Sequence, residues 1–437
     1  MLGEARCLEL LEAALGACEC DQAEALLYVT DSALTRFAES VIHQNVAERN
    51  AVVSVRAIVG KRIGAARGNQ LSADRVTAVA KQAVEIAHVS AEDPDFFSLP
   101  GPQPLPDVDS FAEATAMSTP EQRAQSARTI AGVAEAEGCR ASGSLSASVA
   151  EIAVGNSLGI RAYAPASAAR LVAVVADDAS SGYAEWQGID IAKLEPAAVA
   201  ETAARKCIAG RGAEAISPGE YTVILEPLAV ADMLSMLAFM GLGAQAYQEG
   251  RSFLSGRLGE RVMGENITLW DDATDPRQLA FPFDFEGVPK RKVVFINKGV
   301  ARAVAHDSYT AHKDGTESTG HALPAPNTYG PIPTNLFLEP GEATLDTMIA
   351  STDRGILVTR FHYTNIIHER ETTITGMTRD GTFLIEGGKI AKPLMNLRFT
   401  QSIVEALNRV EMIGRELQLC ESACVPALKI STFSFTS

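Results

Sequence analysis

Apolar residues recur at helical spacing over residues 5–17 and 71–90, so both stretches are expected to form amphipathic helices. Ser72 stands where the second helix needs an N-cap, ahead of Asp74 and Arg75. Between the helices the period changes. Ala51–Val59 reads as a strand, and Lys61–Ala66 as its hairpin partner across Gly60. Residues 93–120 are rich in proline and acid and read as a long surface connection. A helix is expected at about 120–137, then several strands over 145–187, with Leu171–Val175 and Tyr183–Trp186 flanking a turn at Asp177–Gly182. A helix at 190–209 leads into Ser217-Pro218-Gly219-Glu220, a turn-rich break that divides the chain into domains 1–215 and 216–437. Beyond it come a strand, Tyr221–Leu225, and an apolar helix over 228–240. Short strands with Gly and Pro turns follow, interrupted by an irregular stretch at 322–341. A loop of that length is usually functional or disordered. Thr375–Ile390 reads as a hairpin: Phe383-Leu384-Ile385 is a strand, Glu386-Gly387-Gly388 a turn that uses the positive φ open to glycine, and Lys389-Ile390 the return. There is no internal repeat.

Composition narrows the functional classes. A chain of 437 residues, 46% of them hydrophobic, can build two or three domains with real cores. Its net charge of −16 argues against a nucleic-acid surface and against an anionic membrane, both of which need clustered Lys and Arg. No run approaches roughly 18 apolar residues, the length that spans a bilayer. The N-terminus carries acidic residues inside its apolar periodicity and does not resemble a signal peptide. The seven cysteines include the near pairs Cys18/Cys20 and Cys420/Cys424, neither with a second pair at zinc-ribbon spacing. Reduced thiols in a cytoplasmic protein are the simplest account, although Cys420 and Cys424 could share a helix face.

Several motifs carry candidate chemistry. Gly155-Asn156-Ser157-Leu158-Gly159 has the G-x-S-x-G form of a nucleophile elbow, but a strand-like run follows it where the elbow needs a helix, so a hairpin turn fits better. Gly241-Leu242-Gly243-Ala244-Gln245-Ala246 mimics a dinucleotide fingerprint but follows a helix rather than a strand. Five of the seven histidines, His306, His312, His321, His362 and His368, fall in one C-terminal region and are weak candidates for a metal site assembled from distant positions. In Phe283-Asp284-Phe285-Glu286-Gly287, strand geometry would put Asp284 and Glu286 on one face. There they could bind a peptide amine or act as acid and base; the structural alternative is a half-buried strand with a polar outer face. Arg251-Ser252 and Ser318-Thr319 combine hydrogen-bonding side chains with nearby glycine. They are candidates for a groove that grips an extended peptide, and equally for ordinary turns.

Together these pieces resemble the TldD/PmbA family, and within it the PmbA (TldE-like) branch. Leu34–Ser40 with His43-Gln44-Asn45 resembles its N-terminal signature. Asn156–Gly159 and Ser180–Tyr183 resemble its middle. Glu226-Pro227, Gly250-Arg251-Ser252, Leu258-Gly259-Glu260, Asp271-Asp272, Asp284–Pro289, Ser318-Thr319-Gly320 and the 375–390 hairpin resemble its C-terminal domain. The resemblance implies an α+β fold: an N-terminal α/β domain with a mixed sheet and helices, and a C-terminal β-rich, barrel-like domain. It also implies a dimer. Catalytic members are zinc metallopeptidases that degrade short or unfolded peptides in a groove of the dimer, and carry H-E-x-x-x-H just after the first C-terminal strand. Here that region reads Leu225-Glu226-Pro227-Leu228-Ala229-Val230-Ala231-Asp232, without a histidine. No catalytic residue or zinc ligand is therefore carried over, and no cofactor is expected in this chain. PmbA-type chains share the absence and pair with a TldD-type subunit that supplies the zinc. The expectation is a cytoplasmic subunit that builds half of a substrate chamber with a TldD-type metallopeptidase partner. The alternatives are an autonomous hydrolase using the C-terminal histidines, or a non-enzymatic peptide-binding homodimer.

Overall fold

The computed structural model describes residues 1–436. In chain order the first half comprises α1 (Glu4–Gly16), β1 (Gln22–Ala38), β2 (Val41–Val59), β3 (Arg62–Gly68), α2 (Ala73–Val89), α3 (Glu113–Ala116), α4 (Pro120–Ala136), β4 (Arg140–Asn156), β5 (Arg161–Ala176), β6 (Ser181–Gly188) and α5 (Pro196–Ala209). The second half comprises β7 (Gly219–Leu225), α6 (Pro227–Leu237), α7 (Ala244–Gln248), β8 (Leu269–Asp271), β9 (Val293–Asn297), β10 (Val300–Ala301), α8 (Ser308–Asp314), β11 (Leu336–Leu338) and α9 (Leu345–Ala350). It continues with β12 (Arg354–His368), β13 (Thr373–Glu386), β14 (Lys389–Pro393), β15 (Arg398–Ser402), α10 (Ile403–Asn408), β16 (Val410–Ile413), β17 (Gln418–Cys420), β18 (Ala423–Val425) and β19 (Leu428–Phe435).

The first six strands form one sheet in the order β3-β2-β1-β4-β5-β6. Every pairing in it is antiparallel, which corrects the expectation of a mixed sheet. Strand alternation gives the sheet two apolar faces. Ala25, Leu27 and Val29 of β1 pack with Val53 and Val55 against α1 and α2, while α4 and α5 cover the β4–β6 end with Ile130, Ala203 and Cys207. The opposite face of β1 and β4 carries Leu26, Ile152 and Val154 against Phe283, a residue of the second half. That second apolar layer joins the halves.

The second half holds a six-stranded sheet, β10-β9-β8-β11-β18-β17, and a ring in which β12, β7, β19, β15 and β13 pair in succession and β13 closes back on β12. The chain is thus α+β, with a closed five-stranded barrel in its C-terminal region. Closure removes the open edges that a sheet would otherwise expose. α6 buries Val230, Met233, Leu234 and Leu237 in the same core as Val223, Val358 and Ile430 of the barrel strands. Every side chain in that list is essentially inaccessible, which fixes α6 rigidly beside β12.

Outside residues 283–287, the expected helices and strands are present with shifted ends. The 375–390 hairpin turns at Gly387 (φ 55°) and Gly388 (φ 74°), as read from its glycines. Ser72 occupies the N-cap of α2, but its side chain makes no capping hydrogen bond. Gly155–Gly159 spans the end of β4 and the β4–β5 turn. Cys420 and Cys424 do not share a helix; they lie on the paired strands β17 and β18.

Candidate functional site

The segment Phe281–Pro289 is a turn rather than a strand: Gly287 has φ 77°, and Phe283 pairs with Pro289. Asp284 and Glu286 therefore do not form an open acidic face, and the outer face expected of a half-buried strand is absent too. Both are buried, and their carboxylates hold different things. Asp284 accepts the backbone N–H groups of Glu286 (2.9 Å), Val288 (3.0 Å) and Ala322 (2.9 Å), and so fixes the turn. Glu286 accepts from Arg56 (2.9 Å) and from the N–H of Ser308 (3.0 Å) at the start of α8. Arg56 also reaches Glu24 at 2.9 Å, its cross-strand neighbour on β1. Burial pushes the Glu24 carboxyl up to about 7, against the pull of Arg56. A cavity of about 470 Å³ opens beside this cluster, between the sheet and α8, lined by Arg56, Glu286, Asp307, Tyr309 and His312 among others. Within the cluster, Arg56 is spent on Glu24 and Glu286 and links the sheet to the second half.

The other sequence candidates are scattered. Ser252 is buried, donates to the carbonyl of Gly241 (2.6 Å) and accepts the N–H of Leu254 (3.0 Å), which is structural work inside a turn. Arg251 is on the surface, paired with Glu249 and Glu369. Thr319 accepts the N–H of His306 (2.7 Å), and Ser318 donates to the His306 carbonyl (3.2 Å). His321 is completely buried, with Nε2 on Asp271 (3.0 Å) and Nδ1 on the Thr319 hydroxyl (2.9 Å). Burial lowers its pKa despite Asp271, so a neutral ring donating Nε2–H to Asp271 satisfies both contacts. His306 faces Asp314 at 3.7 Å, His312 stacks on Phe97 at 4.2 Å, and His362 and His368 lie along β12. The five histidines do not converge: among the described residues none belongs to a trio of His, Cys, Asp or Glu ligand atoms close enough to share an ion.

A different place gathers function-bearing groups from both halves. A cleft of about 350 Å³ lies over the first turns of α6, lined by Leu228, Ala231 and Asp232 of α6, by Arg360–Thr364 of β12, by Cys420 and Glu421 of the β17–β18 turn, and by Arg170, Tyr183 and Glu185 of β5 and β6. Arg360 forms its wall. It donates Nε (2.8 Å) and Nη2 (2.5 Å) to Asp380, which also accepts from Ser181 (2.6 Å), and its guanidinium lies 4.3 Å over the Tyr183 ring. Tyr183 and Arg170 both donate to Glu185, at 2.5 and 2.6 Å. Asp232 accepts from Thr364 (2.5 Å), and burial raises its pKa. The backbone is bent here: β12 slips register between His362 and Asn365, Tyr363 has φ 53°, and Asp380 has φ 56°. Non-glycine residues at such angles cost on the order of 1–3 kcal/mol and gather where a structure presents side chains for use. Tyr363 is presented to solvent, 76% exposed.

The cleft's possible ligands, His362, Asp232, Cys420 and Glu421, come from separate elements. α6 begins Pro227-Leu228-Ala229-Val230-Ala231 and offers no imidazole, and Cys420 is buried, with its thiol pKa raised chiefly by that burial. Among the described residues no trio of ligand atoms meets in the cleft. What it offers is a rigid arginine, an exposed tyrosine, the His362 imidazole and carboxyl groups, a set suited to binding a polar chain.

Comparison with known proteins places this architecture. Residues 218–437 match the PmbA/TldA metallopeptidase C-terminal domain, and residues 23–87 match PmbA/TldA metallopeptidase domain 1. The chain is 27% identical over 180 residues to a metalloprotease of Methanothermobacter thermautotrophicus, covering 40% of this chain and 38% of that protein. It is 25% identical over 188 residues to the metalloprotease PmbA of Escherichia coli O157:H7, covering 41% of this chain and 39% of that protein. These matches therefore span well under half the length of the curated relatives. The fold is similar to that of TldE from Thermococcus kodakarensis, with a TM-score of 0.90 and 22% identity over 99% of this chain and 100% of that one. With half of the chain under the C-terminal domain match and a second matched stretch near its start, this protein belongs to the PmbA/TldD metallopeptidase family.

Proposed function

We propose that this chain is a TldE-like subunit that binds peptide but does not cleave it alone, and that a TldD-type partner supplies the zinc and the hydrolytic step. The observation that carries the reading is the cleft over α6. It sits directly after the first strand of the second half, where catalytic relatives are expected to hold their metal, and it presents Leu228, Ala231 and Asp232 instead. With no imidazole at the start of α6 to hold a metal and its bound water, the proposal assigns the attack on the amide to the partner.

The side chains suit a binding role. Arg360 is fixed by Asp380 and Tyr183, so little rotamer entropy is lost when it meets a carboxylate or carbonyl oxygen. Asp232 and Glu421 offer acceptors for an amine or backbone N–H. Tyr363 supplies a large exposed ring. The dimer with a TldD-type chain would close the cleft into a chamber. The test is fluorescence-polarisation binding of a labelled short peptide to this chain alone, followed by mass spectrometry of the same peptide after incubation. Binding without cleavage is expected. Cleavage by this chain alone contradicts the proposal, and failure to bind removes the peptide role.

A further inference from the structure

The geometry points to a site away from the cleft: Cys139, Cys207 and Asp177 form a structural zinc site that clamps the end of α5 to the β4–β5–β6 sheet. The two sulfurs and a carboxylate oxygen of Asp177 all lie within 4.8 Å of one another, and the sulfurs are 3.8 Å apart. Two thiolates at about 2.3 Å from a tetrahedral zinc stand about 3.8 Å apart, so the sulfur spacing already matches the ion. None of the three residues lines the cleft or the seam cavity. The inference is therefore independent of the proposed peptide role.

The carboxylate is built to face the sulfurs. Asp177 Oδ1 accepts the N–H groups of Ala179 and Ser180, both at 2.8 Å, in the turn between β5 and β6. Oδ2 takes Arg211 Nε at 2.6 Å, and the same guanidinium places Nη2 3.5 Å from the Cys139 sulfur. A carboxylate has about four lone-pair sites, so Oδ2 can serve Arg211 and an ion together. Ser180 Oγ, 3.4 Å from the Cys207 sulfur and 3.2 Å from Asp177 Oδ1, borders the fourth side, where it or a water would complete the shell.

Charge also balances. Two thiolates and one carboxylate sum to −3, Arg211 contributes +1, and a divalent cation neutralises the rest. Each Zn–S bond forms as its sulfur gives up any proton it carries to solvent; nothing is oxidised or reduced. The set of two sulfurs and one oxygen favours zinc over magnesium or calcium, which prefer all-oxygen shells. Sequence spacing concealed the site, since Cys139 and Cys207 are 68 residues apart.

The experiment is a cobalt(II) titration of the full chain, stripped of metal under a phosphine reductant, followed by displacement with zinc(II). One equivalent of cobalt giving a thiolate-to-cobalt charge-transfer band, abolished by zinc, is expected. Cys139→Ser and Cys207→Ser should each remove the band, and Asp177→Asn should weaken cobalt affinity tenfold or more. Zinc should also raise the melting midpoint of the wild type and leave that of Asp177→Asn nearly unchanged, a readout that stands even if a cysteine variant fails to fold. Absence of the band at one equivalent overturns the site. So does a band that persists in Cys139→Ser, or a Cys139–Cys207 disulfide recovered from unreduced protein.

Discussion

Replacing Asp284 with alanine tests the reading of the Phe281–Pro289 turn as a structural keystone. The Asp284 carboxylate is 3% exposed and accepts three backbone N–H groups. Alanine leaves all three donors buried without partners. Each unsatisfied buried donor costs about 1–3 kcal/mol, so the sum is about 3–9 kcal/mol before relaxation. Water entering the vacated space and small backbone shifts recover part of this, which leaves an expected loss of about 3–5 kcal/mol. Phe283, one residue earlier, is packed on β1 and β4, so the loss should appear as weakened attachment of the second half to the sheet. The assay is urea unfolding followed by Trp fluorescence and far-UV circular dichroism. Asp284→Asn, which keeps one acceptor oxygen, should lie between the wild type and Asp284→Ala, and the exposed control Glu339→Ala should stay within about 0.5 kcal/mol of wild type. If Asp284→Ala lies within about 1 kcal/mol of wild type, the three hydrogen bonds do not hold the turn and the argument fails.

Three further outcomes follow from the same geometry. Arg360→Ala should lower peptide affinity about tenfold, near 1.4 kcal/mol, with Arg360→Lys only partly rescuing because lysine cannot make the two-nitrogen contact to Asp380; unchanged binding by fluorescence polarisation would remove Arg360 from the site. Glu24 has a folded pKa raised from 4.5 to about 7, so the stability it contributes is complete below about 4.5 and is lost as pH rises through about 7, a change of about 3 kcal/mol that Glu24→Gln should flatten in urea midpoints taken across that window. A Cβ on Gly64 would stand 2.1 Å from the Ala83 carbonyl oxygen and 2.3 Å from the Ala87 nitrogen, so Gly64→Ala should force α2 off the sheet and cost about 3 kcal/mol in melting measurements, whereas a loss under about 0.5 kcal/mol would show that α2 gives way easily.

Much of the fold was legible because its signals are local. The 375–390 turn was written in paired glycines, and the α2 and α4 helices in their apolar spacing. The first part of β2 was not, because residues 41–50 are mostly polar and largely exposed and carry no alternation to read. The Asp284–Glu286 error has a definite cause: alternating aromatic and acidic residues read as a strand, while Gly287 at positive φ makes them a turn whose carboxylates point to separate backbone donors. The cleft was only half visible. Tyr183 and Glu185, two apart on β6, share a face in the sequence pattern, and Asp380 lies in the 375–390 block. Their partners Arg170 and Arg360 come from other strands, and Asp232 meets Thr364 from 132 residues away. Pairings of that kind are set by how the barrel closes on the sheet, which no short window of sequence encodes.

The most direct test of the central claim is a peptidase assay on purified chain, alone and mixed with a TldD-type subunit, using the Cys139→Ser/Cys207→Ser variant in parallel so that any structural zinc is separated from catalysis. The account expects no cleavage by this chain alone, cleavage on mixing, and the same result for the variant. Cleavage by the isolated chain, sensitive to a metal chelator and lost on substituting residues of the α6 cleft, would contradict it.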